Sequence, residues 1–200
     1  MGYYVFTDSS SSRKSNSLGS AWLCYEADMN DILNHNFNKE IFKGNIGFSS
    51  SIKIGGGEMI GVLFALENLL EKGLQDEFII LYSDSQYAIK ELDPKCGWWK
   101  GHFLKKFVDI KNQELIINIC YKISLFKNLN LIHVKGHTGK QNFASLGNDK
   151  ADILARSAHR LDEGAKQENL FNYDDFIKDI NEENEENKYF DIIYNSLYEK

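Results

Sequence analysis

The chain has 200 residues, 42% hydrophobic and 26% charged, enough for one domain with a sizeable core plus an appendage. No apolar run approaches the roughly 20 residues that span a bilayer, and MGYYVFTD enters a strand pattern with no secretory leader before it. Cys24, Cys96 and Cys120 are odd in number and lack metal-like spacing, so the expectation is a cytoplasmic or nuclear protein with reduced thiols.

The net charge of −6 is unevenly spread. Residues 161–200 hold 12 acids and 4 lysines, a charge of −8, which leaves +2 for residues 1–160. A mildly basic body therefore carries an acidic tail, and the two are read separately.

In chain order, Tyr3 to Asp8 (YYVFTD) is a short aromatic and β-branched strand that ends in an acid. A polar turn over Ser9 to Ser17 leads to a second strand, Gly19 to Glu26, which pairs with the first as a hairpin. Ala27 to Lys39 is Asn- and Asp-rich and reads as loop, and Ile41 to Ser49 is a third strand. Ile54-Gly55-Gly56-Gly57 is a breaker cluster. No Gly-Lys-Ser/Thr follows, which argues against a nucleotide-binding P-loop and for close approach of another backbone or a ligand.

From Glu58 to Lys72 the apolar residues Met59, Val62, Leu63, Leu66, Leu69 and Leu70 recur at helical spacing. Glu58 falls in the first turn of that helix, where a carboxylate also suits the helix dipole. Phe78 to Tyr82 is a buried central strand, Asp84 ends it, and a helix starts at Ser85. Asp84 is either a helix cap or part of a site, because open α/β sheets hold ligands at the carboxyl ends of their strands.

Pro94, the only proline, marks a helix boundary, and Gly97 to Phe107 mixes aromatics with Lys100, Lys105 and Lys106. Lys111 to Phe126 is helical in period, and Leu129 to Val134 is a strand ending in the turn Lys135-Gly136-His137-Thr138-Gly139. Lys140 to Leu146 reads as loop, and Gly147 to Arg160 as a helix that opens with Asp149 and Asp152. The order β-β-β-α-β-α-(α)-β-α implies a five-stranded mixed α/β sheet, three antiparallel strands and then parallel crossovers, flanked by helices.

Asp8, Glu58, Asp84 and either Asp149 or Asp152 occupy comparable positions at element ends. Converging carboxylates repel one another unless divalent cations join them, and an oxygen-only set favours Mg²⁺ or Mn²⁺ over zinc. Two such ions about 4 Å apart suit phosphodiester hydrolysis.

YVFTDSS, GGGEMIGVLFALE, LYSDSQYAI, HVKGHTG and GNDKADILA resemble, in order, the successive signatures of the type 1 ribonuclease H family over about residues 3–159. The resemblance implies a ribonuclease H fold that binds two Mg²⁺ ions (Mn²⁺ can substitute) and cuts the RNA strand of an RNA–DNA hybrid, leaving 3′-hydroxyl and 5′-phosphate ends. It places Asp8, Glu58 and Asp84 as metal ligands. Asn148, Asp152, Leu154 and Ala155 fit the family's last motif, so it makes Asp152 the fourth ligand and Asp149 a flanking acid. His137 matches the histidine that assists product departure. Gln86 matches a minor-groove contact, Trp99 the aromatic against the DNA sugar-phosphate chain, and Asn112 a DNA phosphate contact. Lys105 and Lys106 join them on the segment from Trp98 to Asn112 that would hold the DNA strand.

The chain departs from the family at three points. Ser9 follows Asp8 where the family usually has Gly. Glycines replace the polar residues before the Glu that touch RNA 2′-hydroxyls, with Lys53 left as a phosphate contact. The loop from His137 to Asp152 is longer than is common.

Residues 1–160 are thus expected to form the ribonuclease H domain. Residues 161–200 are expected to form an acidic extension of two short helices, with Phe171, Tyr173 and Phe176 before the NEENEEN run and Tyr189, Phe190 and Tyr194 after it. A monomer acting on RNA–DNA hybrid, away from membranes, is the overall expectation. Its rivals are a nuclease piece of a viral or retroelement polyprotein and a catalytically silent hybrid-binding module.

Overall fold

Side chains of β1 (Gly2–Ser12) alternate between two helical layers, and both layers are organised around that strand. The computed structural model describes residues 1–12, 17–49, 54–93, 113–137, 139, 141–159, 175–176 and 178–179. Among them β1 is followed by β2 (Ser17–Ala27), α1 (Met29–Leu33), β3 (Lys39–Ser49), α2 (Ile54–Glu71), β4 (Phe78–Ser83) and α3 (Gln86–Leu92). Then come α4 (Gln113–Ser124), β5 (Asn128–His133) and α5 (Phe143–His159).

The sheet order is β3-β2-β1-β4-β5. β1 pairs antiparallel with β2, and β2 antiparallel with β3. β4 pairs parallel with both β1 and β5. This is the mixed sheet expected from the element order.

Val5, Ile79 and Leu81 face α2 and α4, where they pack with Met59, Leu63, Leu66, Leu115 and Ile119. Their neighbours Tyr4, Phe6, Ile80 and Tyr82 face the other way, into a smaller cluster with Phe143 and Ala151 of α5. Phe6 stacks on Tyr82 with ring centroids 5.3 Å apart, and Tyr4 meets Phe143 edge-on at 5.4 Å. An apolar layer on both faces explains why β1 and β4 read as continuous hydrophobic runs in the sequence.

Several boundaries differ from the sequence reading. β1 does not end at Asp8 but runs to Ser12, because its serines keep pairing with β2 through Ser12↔Ser17. α1 lies within the stretch read as loop. Its start is a capping box, in which Asp28 Oδ1 accepts from the Asn30 and Asp31 N–H groups and Asp31 accepts from the Asp28 N–H. α2 starts at Ile54, so the three glycines form its first turn and Glu58 lies one turn further in. α5 starts at Phe143, four residues before the glycine expected to open it.

The glycines have packing reasons. A Cβ at Gly57 would sit 2.6 Å from Leu18 Cδ2, and one at Gly61 would sit 3.0 Å from the Ala21 carbonyl oxygen. α2 therefore lies close on β1 and β2, fixed there by the Ser20 hydroxyl donating to the Gly57 carbonyl at 2.8 Å. On the opposite face a Cβ at Gly147 would run into the Phe6 ring. The far end of α5 is tied to the hairpin by Ser17 Oγ donating to the His159 carbonyl (3.4 Å) and by a 3.0 Å hydrogen bond between His159 Nε2 and Ser10 Oγ. Asn45 Nδ2 donates to the Leu154 carbonyl and Ser157 Oγ at 3.0 and 2.9 Å.

From the C-terminal extension, Phe176 packs against Phe48 and Phe64, with centroid distances of 5.6 and 5.9 Å. Apart from residues 175–176 and 178–179, the first of the two expected helices lies outside the described residues, and so does all of the second. So do Pro94, Cys96 and the aromatic-basic segment from Gly97 to Phe107.

Replacing Gly147 tests whether α5 is held against β1. Alanine favours helix over glycine by about 1 kcal/mol in an exposed interior, yet here its methyl meets a fully buried ring. Gly147→Ala is expected to lower stability by about 1–3 kcal/mol, read as a lower urea midpoint at unchanged m. A higher midpoint would show that α5 can lift off the sheet.

Candidate metal centre

β1 and β4 run parallel, and their pairing stops at Thr7↔Ser83. Asp8 and Asp84 are the next residues of each strand, so both acids stand just past the last parallel pair. Beyond Ser83 there is no β4 to cover the edge of β1, and a side chain from α2 can reach that gap. Glu58 does so. The carboxylates of Asp8, Glu58 and Asp84 each place an oxygen within 4.8 Å of the others. Asp8 and Glu58 are buried, 4% and 5% exposed, and Asp84 is half-buried.

Asp84 is not the cap of α3. That role belongs to Ser85, whose Oγ accepts from the Ala88 N–H at 3.1 Å. The carboxylate of Asp84 is thereby left for the cluster. Glu58, one turn into α2, is likewise not a first-turn partner of the helix dipole.

The neighbours of these acids are specific. Ser9 donates its backbone N–H to Asp8 Oδ1 at 2.7 Å and its hydroxyl to Glu58 Oε1 at 2.7 Å. Glu58 Oε2 is buried and has no hydrogen-bond partner among the described residues. Asn148, buried on α5, points Nδ2 at Asp8 Oδ2 at 3.5 Å and is near enough to favour the ionised form of Asp84. The turn after β5 closes the other side. Gly136 lies so close to Asp84 that any Cβ there would strike its carboxylate.

His133 Nε2 is 3.1 Å from the Asp84 carbonyl oxygen. His137 is exposed and holds a left-handed backbone, φ 50°, which a residue with a side chain rarely adopts.

All three carboxyls are pushed towards the protonated form. Burial raises Asp8 to about 8, with the Asp84 carboxylate adding to the effect and the Ser9 N–H opposing it. Glu58 is raised by burial and then by Asp8 and Asp84, against the Ser9 hydroxyl. Asp84 is raised by burial, with Asn148, His137 and His133 pulling the other way. An all-oxygen donor set with an orphaned buried carboxylate oxygen fits a hard divalent cation such as Mg²⁺ or Mn²⁺.

Asp152 stands four residues after Asn148 on the same face of α5. It is near enough to raise both Asp8 and Asp84, but its own oxygens are occupied. Arg156 grips them in a fork, Nε to Oδ1 at 2.8 Å and Nη2 to Oδ2 at 2.5 Å. Among the described residues the metal-type cluster comprises Asp8, Glu58 and Asp84, without Asp152.

Gln86 is exposed at the first position of α3. Lys53, Trp99, Lys105, Lys106 and Asn112 lie outside the described residues. The sequence reading assigned no part to Ser9, Asn148, His133 or Arg156. Asn148 was detectable as the residue one helical turn before Asp152, and Ser9 as a polar residue where the family usually has Gly.

The RNase H family profile matches residues 2–160. No curated protein sequence matches the chain. Among solved structures, RNase H1 from the halophilic archaeon Halobacterium salinarum NRC-1 is similar with a TM-score of 0.54 at 17% identity, covering 79% of this chain and 97% of that one. The protease–reverse transcriptase of prototype foamy virus gives a TM-score of 0.63 at 19% identity, over 80% of this chain but 21% of the viral one. The N-terminal RNase H domain of Rv2228c from Mycobacterium tuberculosis, solved as a fusion with maltose binding protein, gives 0.56 at 14% identity, over 80% of this chain and 100% of that one. The chain belongs to the RNase H family. Membership supports a nuclease that binds nucleic acid, and among the described residues no helix is long and apolar enough to cross a membrane.

The raised carboxyls set a sign for stability. A folded-state pKa above the unfolded value favours folding at low pH, and that contribution is lost as pH climbs through the folded pKa. For Asp8 the window runs from about 4 to about 8. Without metal, Asp8→Asn is expected to stabilise the chain by about 2 kcal/mol at pH 8, a rise of about 4–8 °C in Tm, and to make little difference at pH 4. Thermal melts in EDTA at the two pH values check this; an equal gain at both would reject charge repulsion as its source.

Proposed function

We propose that the protein is an endonuclease that hydrolyses the RNA strand of RNA–DNA hybrids by a two-metal-ion mechanism, leaving 3′-hydroxyl and 5′-phosphate ends. The observation that carries this reading is the meeting of Asp8, Glu58 and Asp84 at the open end of the parallel strand pair, in a chain of the RNase H family. Bound Mg²⁺, for which Mn²⁺ can substitute, supplies Lewis acidity to the attacking water and to the departing 3′-oxygen.

The chain's own residues do the rest. Asp8, Glu58 and Asp84 hold the cations, and Asp152 serves as a further ligand once its carboxylate is released by Arg156. Asn148 orients Asp8 and Asp84 from the α5 side. The His137 imidazole, exposed beside Asp84, carries protons for the leaving product. Gln86, at the start of α3, contacts the minor groove, while Lys53, Trp99, Lys105, Lys106 and Asn112 bind the nucleic-acid backbone.

Residues 1–160 form the catalytic domain and 161–200 an acidic extension anchored by Phe176. The protein acts as a monomer in a reducing cytoplasmic or nuclear compartment, in keeping with the buried positions of Cys24 and Cys120.

The test uses labelled RNA–DNA hybrid, double-stranded RNA and double-stranded DNA, each incubated with Mg²⁺ or EDTA. The wild-type chain is expected to cut only the hybrid, and only with Mg²⁺. Asp84→Asn is expected to lose at least about 10³-fold in kcat, roughly 4 kcal/mol of barrier. Hybrid binding without metal-dependent cleavage would leave the silent-module reading in its place.

The extension's charge of −8 also makes it a competitor for the substrate's place on the basic body. Removing residues 165–200 is expected to tighten hybrid binding at 50 mM salt, with the gain shrinking towards 200 mM. An unchanged Kd at low salt would show that the extension does not compete.

A further inference from the structure

We propose that Ser9 is a positioning residue for the metal centre: it ties one oxygen of Asp8 and one of Glu58, so that each carboxylate keeps its second oxygen for a cation. The inference rests on the reading of those two acids as metal ligands and goes beyond it by assigning what aims them.

The two carboxylates arrive from opposite layers of the fold. Asp8 is in register with Tyr4 and Phe6 and faces α5, where Asn148 meets it. Ser9, the next residue, faces α2 and donates its hydroxyl to Glu58 Oε1, across 49 positions of chain. Its own backbone N–H turns back to Asp8 Oδ1. One residue thus spans both layers through two short hydrogen bonds, each 2.7 Å.

The free oxygens agree with this division. Glu58 Oε2 is buried without a hydrogen-bond partner among the described residues, and Asp8 Oδ2 has only the long 3.5 Å approach of Asn148. A neutral hydroxyl is a suitable clamp here, since it satisfies one oxygen without placing a cationic side chain where a metal ion would go. Arg156 shows the contrast, because its fork occupies both oxygens of Asp152.

Space has been made for the clamp. A Cβ on Gly57 would lie 3.0 Å from Ser9 Cβ, so α2 could not come this close with a larger residue at that position. Ser9 is 6% exposed, and its hydroxyl has no role as a surface solubiliser. A glutamate has three side-chain torsions to fix before it can ligate, and the Ser9 hydroxyl fixes their end point in advance.

Ser9→Ala removes the hydroxyl and keeps the backbone N–H on Asp8, so it isolates the bond to Glu58. Isothermal titration calorimetry of Mn²⁺ or Mg²⁺ into the full-length chain, with no nucleic acid present, is expected to show affinity weakened roughly tenfold. In cleavage assays the half-saturating Mg²⁺ concentration rises by the same factor, while KM for the hybrid does not move. The effect should vanish in a Glu58→Gln background, because the hydroxyl acts through that carboxylate. Equal metal affinity in wild type and Ser9→Ala, or the same loss with Glu58→Gln already in place, would overturn the proposal and leave the site assignment standing. Absence of metal binding by the wild-type chain would instead reject the site itself.

Discussion

Mutual repulsion among three carboxylates is the constraint around which this structure is arranged. With ligand oxygens no more than 4.8 Å apart, each ionised pair costs at least about 3 kcal/mol at an effective dielectric near 20. Three pairs approach the total stability of an ordinary domain, about 5–15 kcal/mol. A fully ionised cluster would therefore consume most of what the core supplies. Proton uptake or a bound cation relieves it, and the upward shift of all three carboxyls is the first of these.

The sheet makes such a cluster possible by ending one strand early. β4 stops at Ser83 while β1 continues to Ser12, so the edge of β1 beyond Thr7 lacks a parallel neighbour. At that gap a residue on α2 reaches the same point as residues on β1 and β4. Closeness of the layers does the remainder. Gly57 and Gly61 bring α2 down on one face and Gly147 brings α5 down on the other. The turn at Gly136 presses against Asp84 from the side. Backbone proximity, rather than long side chains, sets the geometry of the centre.

What could be read in the sequence follows from the same physics. Strands β1 and β4 were legible because an apolar layer lies on each face, which leaves uninterrupted apolar runs at YYVF and FIILY. Helix starts were less legible. Gly55, Gly57 and Gly147 look like breakers from propensity, yet each lies inside a helix where a neighbouring side chain crowds out a Cβ. Tertiary packing there outweighs a propensity difference of about 1 kcal/mol. The acids Asp8, Glu58 and Asp84 could be picked out as separate points, and their order along the chain matched a family. That Ser85 rather than Asp84 caps α3 was open in the sequence and is decided by the 3.1 Å bond to Ala88. The engagement of Asp152 by Arg156 was not foreseen, although i and i+4 spacing on one helix permits it.

Charge counting connects these details to the chemistry proposed. Asp152 and Arg156 form a neutral pair, so the centre presents the three negative charges of Asp8, Glu58 and Asp84. One divalent cation leaves it negative, which would repel a phosphodiester. Two leave it positive by one unit, and a single phosphodiester charge then brings the whole to neutrality. Substrate and second cation thus favour each other's presence, a linkage that follows from like and unlike charges at close range. Were Asp152 to leave Arg156 and join as the further ligand proposed, the guanidinium, which already acts on Asp8, would stay beside the centre, so the sum of charges and the linkage that follows from it would be unchanged.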